Sequence, residues 1–200
     1  MPWLGALLLT MFLVVVFPLR SVIRTRHHGA SGRADWRLPR ARSWKVADVL
    51  FLAGFAILLA GAALEGRGAV NPVGDPGTAL LVLGVVMLAT GTALAEWAQT
   101  TMGPAWRPDI PPIEDGELVT AGPFRVVRNP NYVAMLAAGF GTALLAPNVV
   151  TFTGWVVLLA SLMLTARAEE PALAARYGDR YRAYGARVGR FVPGIGRLRE

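Results

Sequence analysis

Cysteine is absent from the 200 residues, which excludes disulfides and thiolate metal sites. Histidine is scarce: the two present are neighbours, His27 and His28. Adjacent residues do not share a helix face and no carboxylate stands nearby, so they do not read as a metal pair. Acids are scarce between residues 20 and 45, where eight basic residues face one acid, Asp35. The net charge of +7 would suit a nucleic-acid partner. However, the basic residues cluster beside apolar runs, which is the pattern of membrane topology. Anionic lipid headgroups are the expected electrostatic partner, and nucleic acid is not.

Apolar sequence is what the chain has in excess. Hydrophobic residues make up 54% of it, too much for a soluble domain of this size. Five runs stand out, at residues 3–23, 46–64, 78–97, 129–146 and 149–168. Each approaches the roughly 20 residues that a helix needs to cross a bilayer. No basic residue precedes the first run and no small-residue cleavage site follows it, so it reads as a span rather than a signal peptide. Pro18 is placed to kink it near its end. The expected fold is an all-α integral membrane protein, a single membrane domain over residues 1–200 with five transmembrane helices.

Charge sets the expected orientation. Residues 20–45 and the last 34 residues, with eight arginines, should share the cytoplasmic side. The N-terminus then lies outside and the C-terminus in the cytoplasm, in a plasma or inner membrane. Beyond the fifth run, Leu173, Tyr177, Tyr181, Tyr184 and Val188 recur at helical spacing. They predict an interfacial helix that folds back over the cytoplasmic end.

Between the third and fourth runs lies a long loop with Pro104, Pro108, Pro111 and Pro112 and a group of acids. It ends in Gly122-Pro123-Phe124-Arg125, followed by Arg128-Asn129-Pro130-Asn131-Tyr132. Asn129 is a good N-cap and Pro130 suits the first helical position, so a helix should start here. Its free N–H groups, with Arg125 and Arg128 at the same end, suit an anion. Gly139-Phe140-Gly141 lies within the run that follows; no strand precedes it, so it reads as a helix-packing site and not a nucleotide fingerprint.

Glu169-Glu170-Pro171 closes the fifth run. Pro171 disfavours α conformation at Glu170 and should turn the chain there. The fourth and fifth runs are joined by a short turn, Ala146-Pro147-Asn148, and their arms are of similar length. An antiparallel hairpin would therefore bring Glu169 and Glu170 beside Arg128, Asn129 and Tyr132. Helix end, arginines, carboxylates and aromatic rings together suit a zwitterionic ligand, and the rings suit a cation such as a sulfonium.

Five motifs then follow in order. They are Leu118-Val119-Thr120-x-Gly122-Pro123-Phe124-Arg125, Arg128-Asn129-Pro130-Asn131-Tyr132, Glu169-Glu170, Tyr177-Gly178-x-x-Tyr181-x-x-Tyr184 and Arg190-Phe191-x-Pro193. In this order the second half of the chain resembles the isoprenylcysteine carboxyl methyltransferase family and its phospholipid N-methyltransferase relatives. The resemblance implies a membrane methyltransferase that uses S-adenosylmethionine, its catalytic half at residues 98–200. It implies cofactor contacts at Gly116, Glu117, Leu118, Val119, Phe124, Asn129, Pro130, Asn131, Tyr132 and Glu169, and the neighbouring Arg128 and Tyr181 are expected to join that cofactor site. Asn129 departs from the family, which commonly has histidine there.

Methyl transfer from a sulfonium is an in-line displacement, for which the protein supplies position and a dry site. The expected acceptor is a lipid or lipid-linked molecule. A carboxylate acceptor needs only orientation, by Arg167 or Arg190; an amine acceptor needs a base, for which Glu170 is placed. Two alternatives stand beside this one. One is an oxidoreductase of the sterol-reductase type using NADPH. The other is a membrane protein that keeps the fold without catalysis.

Overall fold

The computed structural model describes residues 1–19, 42–74, 76–103 and 117–198. His27, His28 and Gly116 lie outside the described residues. Every regular element among them is helical: α1 (Pro2–Val14), α2 (Arg42–Gly66), α3 (Gly77–Met102), α4 (Pro130–Leu145), α5 (Val149–Tyr177) and α6 (Asp179–Arg187). A 3-10 turn, Gly122–Arg125, stands before α4. At the end of α1 the helix widens into a π turn, Val15–Leu19, which contains Pro18.

Among the described residues, three helices are long and apolar enough to cross a membrane: Trp44–Gly66, Gly77–Met102 and Val149–Tyr177. The first and fourth runs form shorter apolar helices, Pro2–Phe17 and Pro130–Leu145. The 16 residues of α4 span roughly 24 Å, less than a hydrocarbon core of about 30 Å. Large apolar side chains such as Leu52, Val82, Val86 and Val156 point outward, as they do where the surroundings are hydrocarbon.

The closest helix pairs are α2 with α5 and α3 with α4. Apolar side chains gain little by meeting one another in lipid, so close backbone approach through small residues does the work. Gly84 and Gly141 face each other so tightly that a Cβ on Gly141 would sit 2.6 Å from the Gly84 carbonyl oxygen. On the other pair, a Cβ on Gly154 would sit 2.7 Å from the Leu58 nitrogen. Leu9, Phe12, Leu58, Leu88, Leu158 and Leu162 fill the centre. Ser161 Oγ donates to the Ala47 carbonyl at 2.8 Å, tying α5 to the start of α2.

The hairpin register is fixed at its far turn. Asn148 caps α5 by accepting from the Thr151 N–H at 3.0 Å. Its Nδ2 donates to the Gly61 carbonyl at 3.1 Å and to Glu65 Oε2 at 2.8 Å. These bonds hold the turn against the end of α2, and so set where α5 arrives at its other end.

Two sequence expectations are corrected here. The fifth run does not end at 168 with a turn at Pro171: α5 continues to Tyr177 with Pro171 inside it. A proline costs an interior helix one bond and a steric clash. Here the residues after it, Ala172, Leu173, Ala174 and Ala175, are strong helix formers, and both glutamates before it are anchored. Nor do residues 173–188 form one helix. Gly178 takes φ of 54°, a value that suits glycine, and it separates the end of α5 from α6.

Candidate functional site

The 3-10 turn is built by Gly122 and Pro123. Gly122 has φ of 56°, and a Cβ there would sit 2.8 Å from Thr101 Oγ1, so the turn packs directly on the end of α3. Phe124 is buried behind it, and its carbonyl accepts from Tyr184 Oη at 2.7 Å. The segment before the turn, with Glu117 exposed and Leu118 and Val119 half-buried, has no regular structure.

The two arginines of the sequence motif part company. Arg125 is exposed, whereas Arg128 is buried. Arg128 Nη1 donates to the carbonyls of Val188 and of Gly185, the latter at 3.1 Å. These lie at the C-terminal end of α6, where a helix leaves carbonyls without partners and favours a cation. Arg128 Nη2 donates to Gly196 O at 3.0 Å and to Glu170 Oε1 at 2.7 Å.

Asn129 stands at the N-cap of α4, but its side chain makes no cap bond. Its carbonyl accepts from the N–H groups of Tyr132 and Val133, each at 3.1 Å. Its Nδ2 instead donates to the Arg190 carbonyl at 3.3 Å. The neighbouring backbone does the same: Arg128 N donates to Gly189 O at 2.8 Å and Asn129 N to Arg190 O at 3.2 Å. Residues 188–198 therefore lie alongside the start of α4 as a strap. Pro130 takes the first helical position and is buried. Asn131 Nδ2 reaches Met102 Sδ at 3.7 Å, and its buried Oδ1 has no partner among the described residues.

The hairpin brings α4 and α5 together at this end. Tyr132 Oη donates to Glu169 Oε1 at 2.7 Å, and Phe191 of the strap meets the Tyr132 ring edge-on at 6.2 Å. Glu170 faces elsewhere. Arg190 Nε donates to its Oε1 at 2.8 Å and Arg190 Nη2 to its Oε2 at 2.7 Å. Those bonds, the largest influence, hold the Arg190 pKa above its usual value. Tyr181 and Tyr184 are buried under α6, their ring centroids 6.3 Å apart. Burial pushes both phenols up to about 12. For Tyr181 the Glu170 carboxylate adds to the rise and Arg128 opposes it.

The geometry gathers Arg128, Asn129, Tyr132, Glu169, Glu170, Tyr181 and Arg190 at one end of the bundle. Arg167 is exposed on α5 and makes no hydrogen bond or ion pair among the described residues. Three participants had no assigned role in the sequence. Phe191 stood in a motif but touches Tyr132 only because the strap returns. Tyr184 lay on the helical stripe. Gln99, fully buried on α3, donates from Nε2 to the Val16 carbonyl at 3.2 Å; a polar residue inside an apolar run was its one signal.

A sequence model described as phospholipid methyltransferase matches residues 79–180, 102 of the 200 residues. That family shares a clan with the isoprenylcysteine methyltransferases. The matched stretch runs from α3 into α6 and includes Tyr132, Glu169 and Glu170, while α1, α2 and the strap fall outside it. A search of curated proteins gave no match. With most of α3, all of α4, the hairpin turn and the paired glutamates inside the match, the chain belongs to the phospholipid methyltransferase family.

Proposed function

We propose that this protein transfers a methyl group from S-adenosylmethionine to a lipid or lipid-linked acceptor at the cytoplasmic face of a membrane. The observation that carries the reading is the pairing of Tyr132 with Glu169 at the start of α4, within the family match. Residues of that end suit the cofactor. Glu169 Oε1 carries one donor, Tyr132, and a carboxylate accepts several, so it can also take an ammonium or ribose hydroxyls. The buried Asn131 Oδ1, without a partner among the described residues, is a second acceptor, and the start of α4 favours a carboxylate. The rings of Tyr132 and Phe191 stand beside them, and aromatic faces attract cations.

When bound, the cofactor supplies an electrophilic methyl group. The chain supplies position: Glu169, Tyr132, Asn129, Pro130, Asn131 and residues 117–119 would hold the cofactor, with Phe124 and Tyr181 buried at the same end. Arg167, exposed on α5 near this end, is the arginine available to orient an anionic acceptor. Five spans, with α1 and α4 crossing where the bilayer is locally thinned, put the end of α1 and the strap on one side. The charge rule makes that side cytoplasmic and the N-terminus external. An isoprenylcysteine carboxyl group and a phospholipid amine are the two acceptor classes that the family kinship supports.

The test is incubation of purified protein with methyl-labelled S-adenosylmethionine and a total membrane lipid extract. Label recovered in an organic-soluble product is expected, and its base-lability separates an ester from an N-methyl group. No transfer, together with lipid-dependent NADPH oxidation, would replace the reading with a reductase.

A further inference from the structure

Glu169 and Glu170 are adjacent on α5, so they point about 100° apart around the helix, and their surroundings differ. Glu169 meets Tyr132. Glu170 meets two guanidinium groups, from Arg128 and Arg190, at 2.7 Å each. Three donor bonds reach its oxygens: Oε1 takes Arg128 Nη2 and Arg190 Nε, and Oε2 takes Arg190 Nη2. A carboxylate has roughly four acceptor positions, so little capacity is left for a substrate proton. The side chains of Arg128 and Glu170 are 2% and 13% exposed, and that of Arg190 is 19% exposed.

Each arginine also holds the strap. Arg128 reaches the carbonyls of Gly185, Val188 and Gly196. The carbonyl of Arg190 accepts from both the backbone N–H and Nδ2 of Asn129. The strap folds on itself as Arg190 N donates to Ile195 O at 2.9 Å, and Leu198 N returns to Gly185 O at 3.0 Å. The residue after Arg190 is Phe191, whose ring meets Tyr132; Tyr132 in turn holds Glu169. A continuous path therefore runs from Glu170 through Arg190, Phe191 and Tyr132 to Glu169.

We infer that Glu170 is a positioning residue: with Arg128 and Arg190 it latches residues 188–198 across the site, and through Phe191 the latch sets Tyr132 and Glu169 for the ligand. This gives the paired glutamates separate tasks, withdraws Glu170 as the base for an amine acceptor, and withdraws Arg190, whose guanidinium is held by Glu170, as the guide for a carboxylate acceptor. The inference rests on the proposed function for the ligand, but the latch itself does not. A buried ion pair of this kind holds geometry more than it adds stability, and breaking it strands a buried charge.

The test uses Glu170→Gln, Arg190→Gln, their combination and Arg190→Lys in the full-length protein in detergent. Amide exchange at Arg190, Ile195 and Leu198 is measured without ligand. S-Adenosylhomocysteine affinity and the pH profile of methyl transfer are measured alongside. Both glutamine variants should speed strap exchange and weaken the ligand by about tenfold or more, the scale of a lost charged hydrogen bond. The KM for S-adenosylmethionine should rise, with kcat at saturation and its pH profile unchanged. The double variant should be little worse than either single one, because the residues act as one unit. Arg190→Lys, which keeps the charge and loses the fork, should restore part of the effect.

If Glu170→Gln fails to fold, Arg190→Gln carries the test, since Glu170 then still neutralises Arg128. A collapse of kcat with an altered pH profile and undisturbed strap exchange would make Glu170 the base and overturn the inference. Faster strap exchange with unchanged affinity and KM would reduce the latch to scaffolding and overturn it equally. Wild-type protein that protects the strap but binds no S-adenosylhomocysteine would sink the proposed function instead, leaving the latch to stand on exchange alone.

Discussion

At the residue scale, Asn129 decides how the start of α4 is joined to the strap. Its Nδ2 donates to the Arg190 carbonyl, a bond that an imidazole N–H can also make. Asn129→His restores the commoner residue of the resembling family. Cofactor affinity should stay within about tenfold, or roughly 1.4 kcal/mol, when read by titration of S-adenosylhomocysteine. Complete loss of binding in a folded variant would show that asparagine is required for the local geometry. The residue-level contacts were only partly legible in the sequence. Arg128 and Arg125 look alike beside a helix start, yet one is buried and one exposed. The difference comes from the strap, whose carbonyls at Gly185, Val188 and Gly196 claim Arg128. Nothing near Arg128 in sequence announces a segment that returns some 60 residues later.

At the element scale, α6 and the 3-10 turn form one docked unit, joined by Tyr184 Oη to the Phe124 carbonyl. The phenols of Tyr181 and Tyr184 keep their protons up to about 12, against an ordinary 10.0. A raised phenol pKa means that the folded state binds protons more tightly than the unfolded chain. The resulting stabilisation is complete below pH 10 and is lost as pH climbs toward 12. Ultraviolet titration of wild-type protein against Tyr181→Phe and Tyr184→Phe should therefore assign the late phenolate absorbance to these two rings. Ionisation of either near pH 10 would mean that α6 is not docked. The helices themselves were largely readable, because apolar length and the Asn129-Pro130 start are local signals. Their ends were not. Pro171 reads as a terminator, but anchored neighbours and four good helix formers carry α5 past it. Gly178, inside an apparently continuous stripe, marks the break instead.

At the scale of the whole molecule, the α4–α5 hairpin and the pairing of α3 with α4 place the site at one end of the bundle. The α1 N-terminus and the turn at Pro147 lie at the other: Arg67 sits over the Trp3 ring at 5.4 Å, and Val73 N bonds the Pro147 carbonyl. This arrangement predicts that reporters fused after Lys45 and after Glu200 are cytoplasmic, while one inserted near Gly74 is external. An external C-terminus would put the site on the side without cofactor. That Glu169 would meet Tyr132 was foreseeable from the hairpin arms. That the strap would join them was not, since no periodicity governs residues 189–198.

Glu169 is the carboxylate on which the proposed ligand site most directly stands. Calorimetric titration with S-adenosylhomocysteine, on wild type and Glu169→Gln in the same detergent, tests it, with a ligand-free melting curve for each. Glutamine can still accept from Tyr132 Oη, so the empty fold should be spared. The melting temperature should stay within about 2 °C, a shift worth less than 1 kcal/mol in a chain of this size. Affinity should fall by at least about tenfold, because the variant removes the charge that meets an ammonium or ribose hydroxyl. Unchanged affinity together with a large drop in melting temperature would make Glu169 a structural residue and contradict the placement of the site.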